Sequence, residues 1–356
     1  MKFLLHNFLR PRWRTVLFTL LALAGSVFIF SGLGYYYCYY APNVTAAGGA
    51  AYLYIHAGAT YGEVIDSLDR LNVLRNAATF RRAAEREHYP DNIHAGRYKL
   101  TSGMSNKMLI RLLLLGSEEP VRLTLAGHIR TNRRLADLMS RYIEPDSLML
   151  LAALNDAQLT AEYGFTPATI MGMFIPDTYE VYWGITVKAL LKRMKREYDA
   201  FWNGDRRAKA AALGMTQQEV VTLASIVYEE TLKPSEMPRV AGVYVNRLTK
   251  GIPLQADPTL KYAVGDFTLR RILNRHKTVE SPYNTYLYAG LPPGPICVPP
   301  AAAIDAVLNC ERHEYLYFCA KADFSGYHSF SKTLAQHNEY ACAYHEALDE
   351  RAKNAQ

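Results

Sequence analysis

Two adjacent carboxylates, Glu229 and Glu230, end the run Leu223-Ala224-Ser225-Ile226-Val227-Tyr228-Glu229-Glu230-Thr231, and they carry the clearest chemistry in the chain. Thr216 and Glu219 stand three apart just before the apolar stretch, a capping-box start for a helix. Steps of about 100° per residue put Val220, Leu223, Ala224 and Val227 on one side of that helix. Glu229 then lies almost opposite the stripe, in solvent, while Glu230 falls on its edge beside Leu223, Ile226 and Val227. A carboxyl held against apolar groups loses hydration when it ionises, so it keeps its proton toward neutral pH and can lend it. The competing role for an inward Glu is a structural ion pair, here with Arg239 or Arg247. On this wheel, Glu229→Gln is expected to leave the chemistry intact and Glu230→Gln to remove it.

The segments that must position Glu230 follow in order. Arg239 to Leu248 reads as a second helix, stopped at Gly251. Then come Leu254-Gln255-Ala256-Asp257-Pro258-Thr259, Tyr283-Asn284-Thr285-Tyr286 and Gly290-Leu291-Pro292-Pro293-Gly294-Pro295-Ile296. Together these pieces resemble the catalytic domain of the endolytic murein transglycosylases, the MltG/YceG-like family, from about Phe174 almost to the C-terminus. In that family the helix segment usually reads Glu-x-Glu, and its second Glu is the catalytic acid. Here the first position is Tyr228 and the second Glu230, so the resemblance and the helical wheel select the same residue.

The resemblance implies cleavage of the MurNAc-β-1,4-GlcNAc bond of nascent peptidoglycan strands, leaving 1,6-anhydro-MurNAc ends and terminating strand growth. Glycosidic cleavage needs an acid to protonate the departing oxygen, and hydrolases add a second carboxylate. A lytic transglycosylase uses the sugar's own C6 hydroxyl as nucleophile, so one Glu can act as acid and then base. Gln255 and Asn284 carry amides that both donate and accept, as sugar recognition requires, or else they brace loops. Asp257 either caps the helix opening at Pro258 or faces Glu230 as the second carboxylate of a water-using muramidase. His328 positions substrate or Glu230, or is a satisfied strand histidine; Tyr283 and Tyr286 stack on sugars or line the core. The loop Gly290 to Ile296, with three prolines, is rigid and shapes a groove wall.

Val16 to Tyr37 is apolar or aromatic and long enough to span a bilayer. Lys2, Arg10, Arg12 and Arg14 precede it, with no acidic residue before Glu63, which keeps the N-terminus cytoplasmic and exports the rest. Tyr35 to Tyr40 suit an outer interface belt, and they occupy the place where a cleaved signal peptide needs small residues. Tyr36 and Tyr37 are likewise too bulky for a lipoprotein site at Cys38. The five cysteines show neither Cys-x-x-Cys nor ligand spacing with histidine, so no metal or other cofactor is expected, and no disulfide is inferred. The charge of +7 is spread along the chain. With a membrane segment this argues for cell-wall polymer or anionic lipid as neighbour and against nucleic acid. Ser225 lies in no Gly-x-Ser-x-Gly elbow, and phosphate-binding glycine patterns are absent.

A strand–glycine–helix pattern recurs from Tyr52-Leu53-Tyr54-Ile55 with Gly58, from Arg97-Tyr98-Lys99-Leu100 with Gly103, and from Val121 to Leu125 with Gly127. Its first two units resemble a LysM-like module, which implies glycan binding; the alternative is a plain spacer. Val187 to Trp202 reads as a core-packing helix, Tyr315 to Cys319 as a buried strand, and Gly326 to Phe330 as its partner before a final helix from Leu334. The expected fold class is α+β. Residues 1–14 form a cytoplasmic tail, 15–37 a transmembrane helix, 38–51 a linker, 52–120 the LysM-like module and 121–350 the catalytic domain. The expected protein sits in the bacterial inner membrane as a single-pass anchor with its catalytic domain in the periplasm. Its partners are peptidoglycan strands and, as the resemblance implies, peptidoglycan synthases. A non-catalytic, membrane-tethered peptidoglycan-binding scaffold is the alternative outside enzymology.

Overall fold

The computed structural model describes residues 11–269 and 272–354. The chain divides into two compact units: the first takes everything up to Val121 together with Tyr182–Gly184, and the second takes Arg122–Val181 and the chain from Ile185 onward. Among the described residues the strands form three two-stranded sheets set among helices, a mixed α+β chain.

The first unit begins with α1 (Pro11–Tyr39), whose Thr15–Tyr39 stretch is long and apolar enough to cross a membrane. Lys2 and Arg10, two of the four basic residues that carry the orientation argument, lie outside the described residues. α1 does not end in a free linker. Cys38 and Tyr39 are buried, and the Cys38 carbonyl accepts from Nδ2 of the fully buried Asn106 at 2.8 Å. Residues 38–51 are therefore part of this unit, a correction to the linker expectation. Val44 is fully buried and bridges to Leu74, Pro42 bridges to Ser105, and Asn43 Nδ2 donates to Asn106 Oδ1 at 2.7 Å. The small, glycine-bearing composition that reads as a linker is confined to one short turn, Ala47–Gly49.

β1 (Ala50–Ile55) pairs antiparallel with β2 (Gly96–Thr101), Ala50 opposite Thr101 and Ile55 opposite Gly96. Gly58 and Gly103 take positive φ after the strands, where a side chain would be strained, and each leads to a helix. These are α2 (Tyr61–Leu71), capped by Thr60 and Glu63, and α4 (Asn106–Leu114), capped by Ser105. Between them lies α3 (Ala77–Arg86), which the strand–helix pattern missed because its sequence is mostly alanine and arginine. Leu53, Leu68, Phe80, Tyr98 and Leu109 form the fully buried core.

The second unit begins within β3 (Val121–Thr124), which pairs with β4 (Thr178–Val181) rather than heading a third copy of the repeat. Leu125 N donates to Asp177 O, and the Thr124 and Thr178 hydroxyls meet at 3.0 Å. Between these strands run α5 (Asn132–Met139), α6 (Ser147–Asn155) and α7 (Ala157–Glu162). Then come α8 (Val187–Phe201), α9 (Gly204–Ala212), α10 (Gln217–Glu230), α11 (Met237–Thr249), α12 (Asp257–Val264), α13 (Asn274–Lys277) and α14 (Ala301–Leu308). β5 (Tyr317–Ala320) pairs antiparallel with β6 (His328–Ser331), and α15 (Leu334–Asn354) closes the unit. β5 is half-buried, not buried as expected.

α10 is the centre of this unit. It has the expected Thr216–Glu219 capping box, but every residue from Val220 to Val227 is buried. The helix is enclosed by α11, α12 and α14 and has no solvent face along that length. The proline loop secures it. Ile296 N donates to Ser225 Oγ at 3.0 Å, and Gly294 passes so close to Ala168 that an added Cβ would sit 2.1 Å from its carbonyl oxygen.

A similar close approach fixes α11, which carries two residues of the cleft described below. A Cβ on Gly242 would lie 2.4 Å from the Glu311 carbonyl oxygen. Gly242→Ala is therefore expected to lower stability by about 1–3 kcal/mol through overpacking against backbone that cannot move aside. A thermal melt of the full chain in mild detergent should register this as a drop of several degrees; an unchanged melt would mean that α11 can shift freely.

Candidate active site

The second unit carries a cleft of about 370 Å³ lined by Glu230, Tyr244, Arg247, Gln255, Asp257, Tyr286, Tyr317, Phe318 and His328, among others. Six elements converge there: the C-terminal end of α10, the middle of α11, the loop into α12, the Tyr283–Tyr286 turn, the β5–β6 hairpin and the first turn of α15.

Glu230 is the last residue of α10 and keeps only part of its surface open to the cleft. Its Oε1 accepts a hydrogen bond from Tyr244 Oη at 2.6 Å. Loss of hydration is the main force on this carboxyl, the Tyr244 bond opposes it, and the charge of Asp257 adds to it; the outcome is a pKa raised to about 7. Its place at the C-terminal end of a helix compounds the effect, because the backbone carbonyls there already carry partial negative charge. Neither arginine suggested as an ion-pair partner meets Glu230. Arg239 pairs with Glu311, and Arg247 bonds Gln255 and two carbonyls.

The structural ion pair falls to Glu229 instead. Its two oxygens accept from Arg130 Nε and Nη2 at 2.9 and 2.7 Å, and His128 Nδ1 lies 3.1 Å away. With its side chain 11 % exposed, Glu229 is not the solvated residue the helical wheel assigned. The wheel saw only the stripe of α10, whereas the strand-to-helix segment before α5 folds across the end of that helix. Burial works against the charge of Glu229, but Arg130 and His128 outweigh it and hold its pKa below the usual carboxylate range. His128 also stacks on Tyr228, ring centroids 5.2 Å apart.

Arg247 organises the opposite side. It donates to the carbonyls of Pro253 and Leu316 and, through Nη2, to Gln255 Oε1 at 2.6 Å. Gln255 is held at φ +52°, a left-handed backbone that costs a non-glycine residue roughly 1–2 kcal/mol. Its N–H to the Thr285 carbonyl and the Arg247 bond keep it there. The Gln255–Thr259 and Tyr283–Tyr286 segments are further joined by the Thr259 and Thr285 hydroxyls at 2.8 Å and by Tyr286 Oη donating to Asp257 Oδ1 at 2.6 Å.

Of the residues singled out from the sequence, Glu230, Gln255, Asp257, Tyr286 and His328 meet in this one cleft. Asn284 stands apart: it is fully buried, its Nδ2 donates to the Lys277 and Val279 carbonyls, and its Oδ1 accepts from Tyr286 N. That is the loop-bracing role. Tyr283 packs on Tyr262 with ring centroids 4.5 Å apart and does not line the cleft. The proline loop likewise buttresses α10 without lining the cleft. Sequence reasoning missed Tyr244, Tyr317, Phe318, His337 and the buried Glu236, which accepts from His328 Nδ1 at 2.7 Å. A signal existed for Tyr244 alone, on the same short helix as Arg247 and one turn before it.

The sequence model of the YceG-like family matches residues 53–342. A Bacillus subtilis (strain 168) protein named endolytic murein transglycosylase is 26 % identical over 317 residues, covering 83 % of this chain and 85 % of that protein. A Streptococcus pneumoniae (strain R6) protein of the same name is 26 % identical over 298 residues, covering 75 % of this chain; the match spans about half, 53 %, of that longer protein. Among solved structures, a yceG-like protein from Listeria monocytogenes is similar with a TM-score of 0.54 and 27 % identity, over 82 % of this chain and 98 % of that one.

The environment of Glu230 has a consequence for stability. Its folded pKa, about 7, lies above the unfolded value, 4.5. Between those values the unfolded chain gives up a proton that the folded chain keeps, so stability falls as pH rises through this window and levels off above it. Glu230→Gln removes this dependence. The variant should gain on wild type from pH 4 to pH 8, by on the order of 2–3 kcal/mol. Urea midpoints of both proteins at the two pH values check this, and a constant difference would mean an ordinary carboxyl.

Proposed function

The chain belongs to the YceG-like family, and on that premise we propose that it is a membrane-anchored endolytic lytic transglycosylase of peptidoglycan. The observation that carries the reading is Glu230, a carboxyl at a cleft wall whose Oε1 accepts from Tyr244 and whose pKa burial raises to about 7. The names of the Bacillus and pneumococcal relatives supply the substrate.

In this reading Glu230 protonates the O4 of the departing N-acetylglucosamine as the muramoyl anomeric carbon becomes oxocarbenium-like. The muramoyl C6 hydroxyl attacks that carbon, and the ring closes to a 1,6-anhydro end. Holding the hydroxyl near the carbon makes the attack intramolecular, an advantage that reaches about 7–11 kcal/mol in favourable systems. Gln255 offers its amide N–H groups to the sugar because Arg247 already occupies its oxygen. Asp257, Tyr286 and His328 complete the contact surface.

The apolar α1 supports a single-pass anchor, with the N-terminus cytoplasmic and the cleft on the periplasmic side of the inner membrane. Cutting inside nascent strands close to the membrane would end their growth and makes peptidoglycan synthases natural neighbours. The first unit, through Gly58-Ala59-Thr60 and the helix it opens, supports a LysM-like glycan contact. One observation favours a second reading: Asp257 shares the cleft with Glu230 and acts on its charge, as a water-activating carboxylate of a muramidase would.

Full-length protein in detergent micelles, incubated with uncrosslinked glycan strands, should release fragments ending in 1,6-anhydro-MurNAc by mass spectrometry. Glu230→Gln should reduce that release by about 10²–10⁴-fold. Reducing MurNAc ends would instead establish the muramidase, and no cleavage by folded wild type would leave the scaffold. Activity should also fall as pH rises through about 7, where Glu230 loses the proton it must donate; a rate that holds to pH 9 would contradict Glu230 as the acid.

A further inference from the structure

Glu236 lies six residues beyond Glu230, between α10 and α11, and is almost completely buried, 4 % exposed. One oxygen accepts the backbone N–H of His328 at 2.7 Å. The other accepts from Thr231 Oγ1 at 3.2 Å and lies 2.7 Å from His328 Nδ1. Both ends of His328, main chain and ring, are thus tied to one carboxylate. A carboxylate oxygen only accepts, so in this contact Nδ1 of His328 is the donor and carries a hydrogen. Phe318 meets the ring edge-on with centroids 5.3 Å apart and fixes its plane. His328 lines the cleft together with Glu230, and among the described residues no protein group hydrogen-bonds its Nε2. A buried carboxylate on Nδ1 of a cleft-lining histidine, with Nε2 left without a protein partner, is the arrangement by which carboxylate–histidine pairs accept a proton from a hydroxyl.

We propose that His328 is the base that takes the proton from the attacking hydroxyl, with Glu236 as its positioning residue, so that acid and base are separate groups in this cleft. The proposal rests on the glycosidic-bond cleavage argued above. As the C1–O4 bond breaks, Glu230 gives its proton to O4. The oxygen of the attacking C6 hydroxyl bonds to C1, and its proton passes to Nε2. The resulting imidazolium, stabilised by Glu236, returns the proton through solvent to the Glu230 carboxylate, and both groups are reset.

The test compares wild type, Glu236→Gln and His328→Ala, all full-length in detergent micelles, on uncrosslinked glycan strands, with kcat and KM resolved. An amide at position 236 can donate to Nδ1 and force the hydrogen onto Nε2. Glu236→Gln should therefore lower kcat by about 10²-fold or more with KM within about twofold. His328→Ala should lose at least as much, and added imidazole should restore part of its rate. A Glu236→Gln protein that melts like wild type and keeps kcat within twofold overturns the proposal, as does a folded His328→Ala protein that imidazole leaves unchanged. If His328→Ala fails to fold, Glu236→Gln decides. Wild type that releases no fragments would instead remove the activity itself, and the base with it.

Discussion

A helix enclosed on all sides that ends in a carboxyl is the constraint on which the second unit is built. α10 offers water no face from Val220 to Val227, so Glu230 emerges from an apolar interior at the end where the helix dipole already opposes negative charge. Its surroundings give it one strong donor, Tyr244, and among the described residues no ion-pair partner. The surrounding architecture maintains that environment: Ser225 and the proline loop hold α10 from behind, and Arg247 holds the Gln255 loop across the cleft.

The neighbouring carboxyl makes the same point by contrast. Glu229 and Glu230 are adjacent, chemically identical and both withdrawn from water, yet they are driven in opposite directions. Arg130 grips Glu229 with two hydrogen bonds, which makes ionisation favourable despite burial. Glu230 receives a neutral hydroxyl, which compensates for only part of the lost hydration. Environment alone drives these two adjacent acids apart, and a pair of groups pushed apart in this way is the usual mark of acid–base roles.

Local patterns made much of this legible beforehand. The capping box and the strand–glycine–helix order at β1 and β2 depend on neighbours within a few residues, and they appear where the sequence places them. The inward position of Glu230 was readable because an edge position on a helix survives whether the helix is half-buried or wholly buried. Glu229 was not, since Arg130 lies 99 residues away and no periodicity carries that contact. The same holds for the packing of residues 38–51, set by Asn106, and for Asn284, whose amide is consumed by its own loop although its residue type suits sugar binding. Glu236 escaped notice because a lone acid in a turn has no pattern to announce it; only the hairpin that brings His328 alongside gives it a role.

Burial at the end of α10 raises the pKa of Glu230 to about 7, and a titration of that one carboxyl checks this without any substrate. Infrared difference spectra of wild type against Glu230→Gln, taken from pH 4 to pH 9, isolate its protonated C=O band. The band should persist through pH 6 and vanish with a midpoint near 7. A midpoint near the ordinary glutamate value would contradict the account, because a carboxyl already ionised at neutral pH has no proton to give a departing sugar.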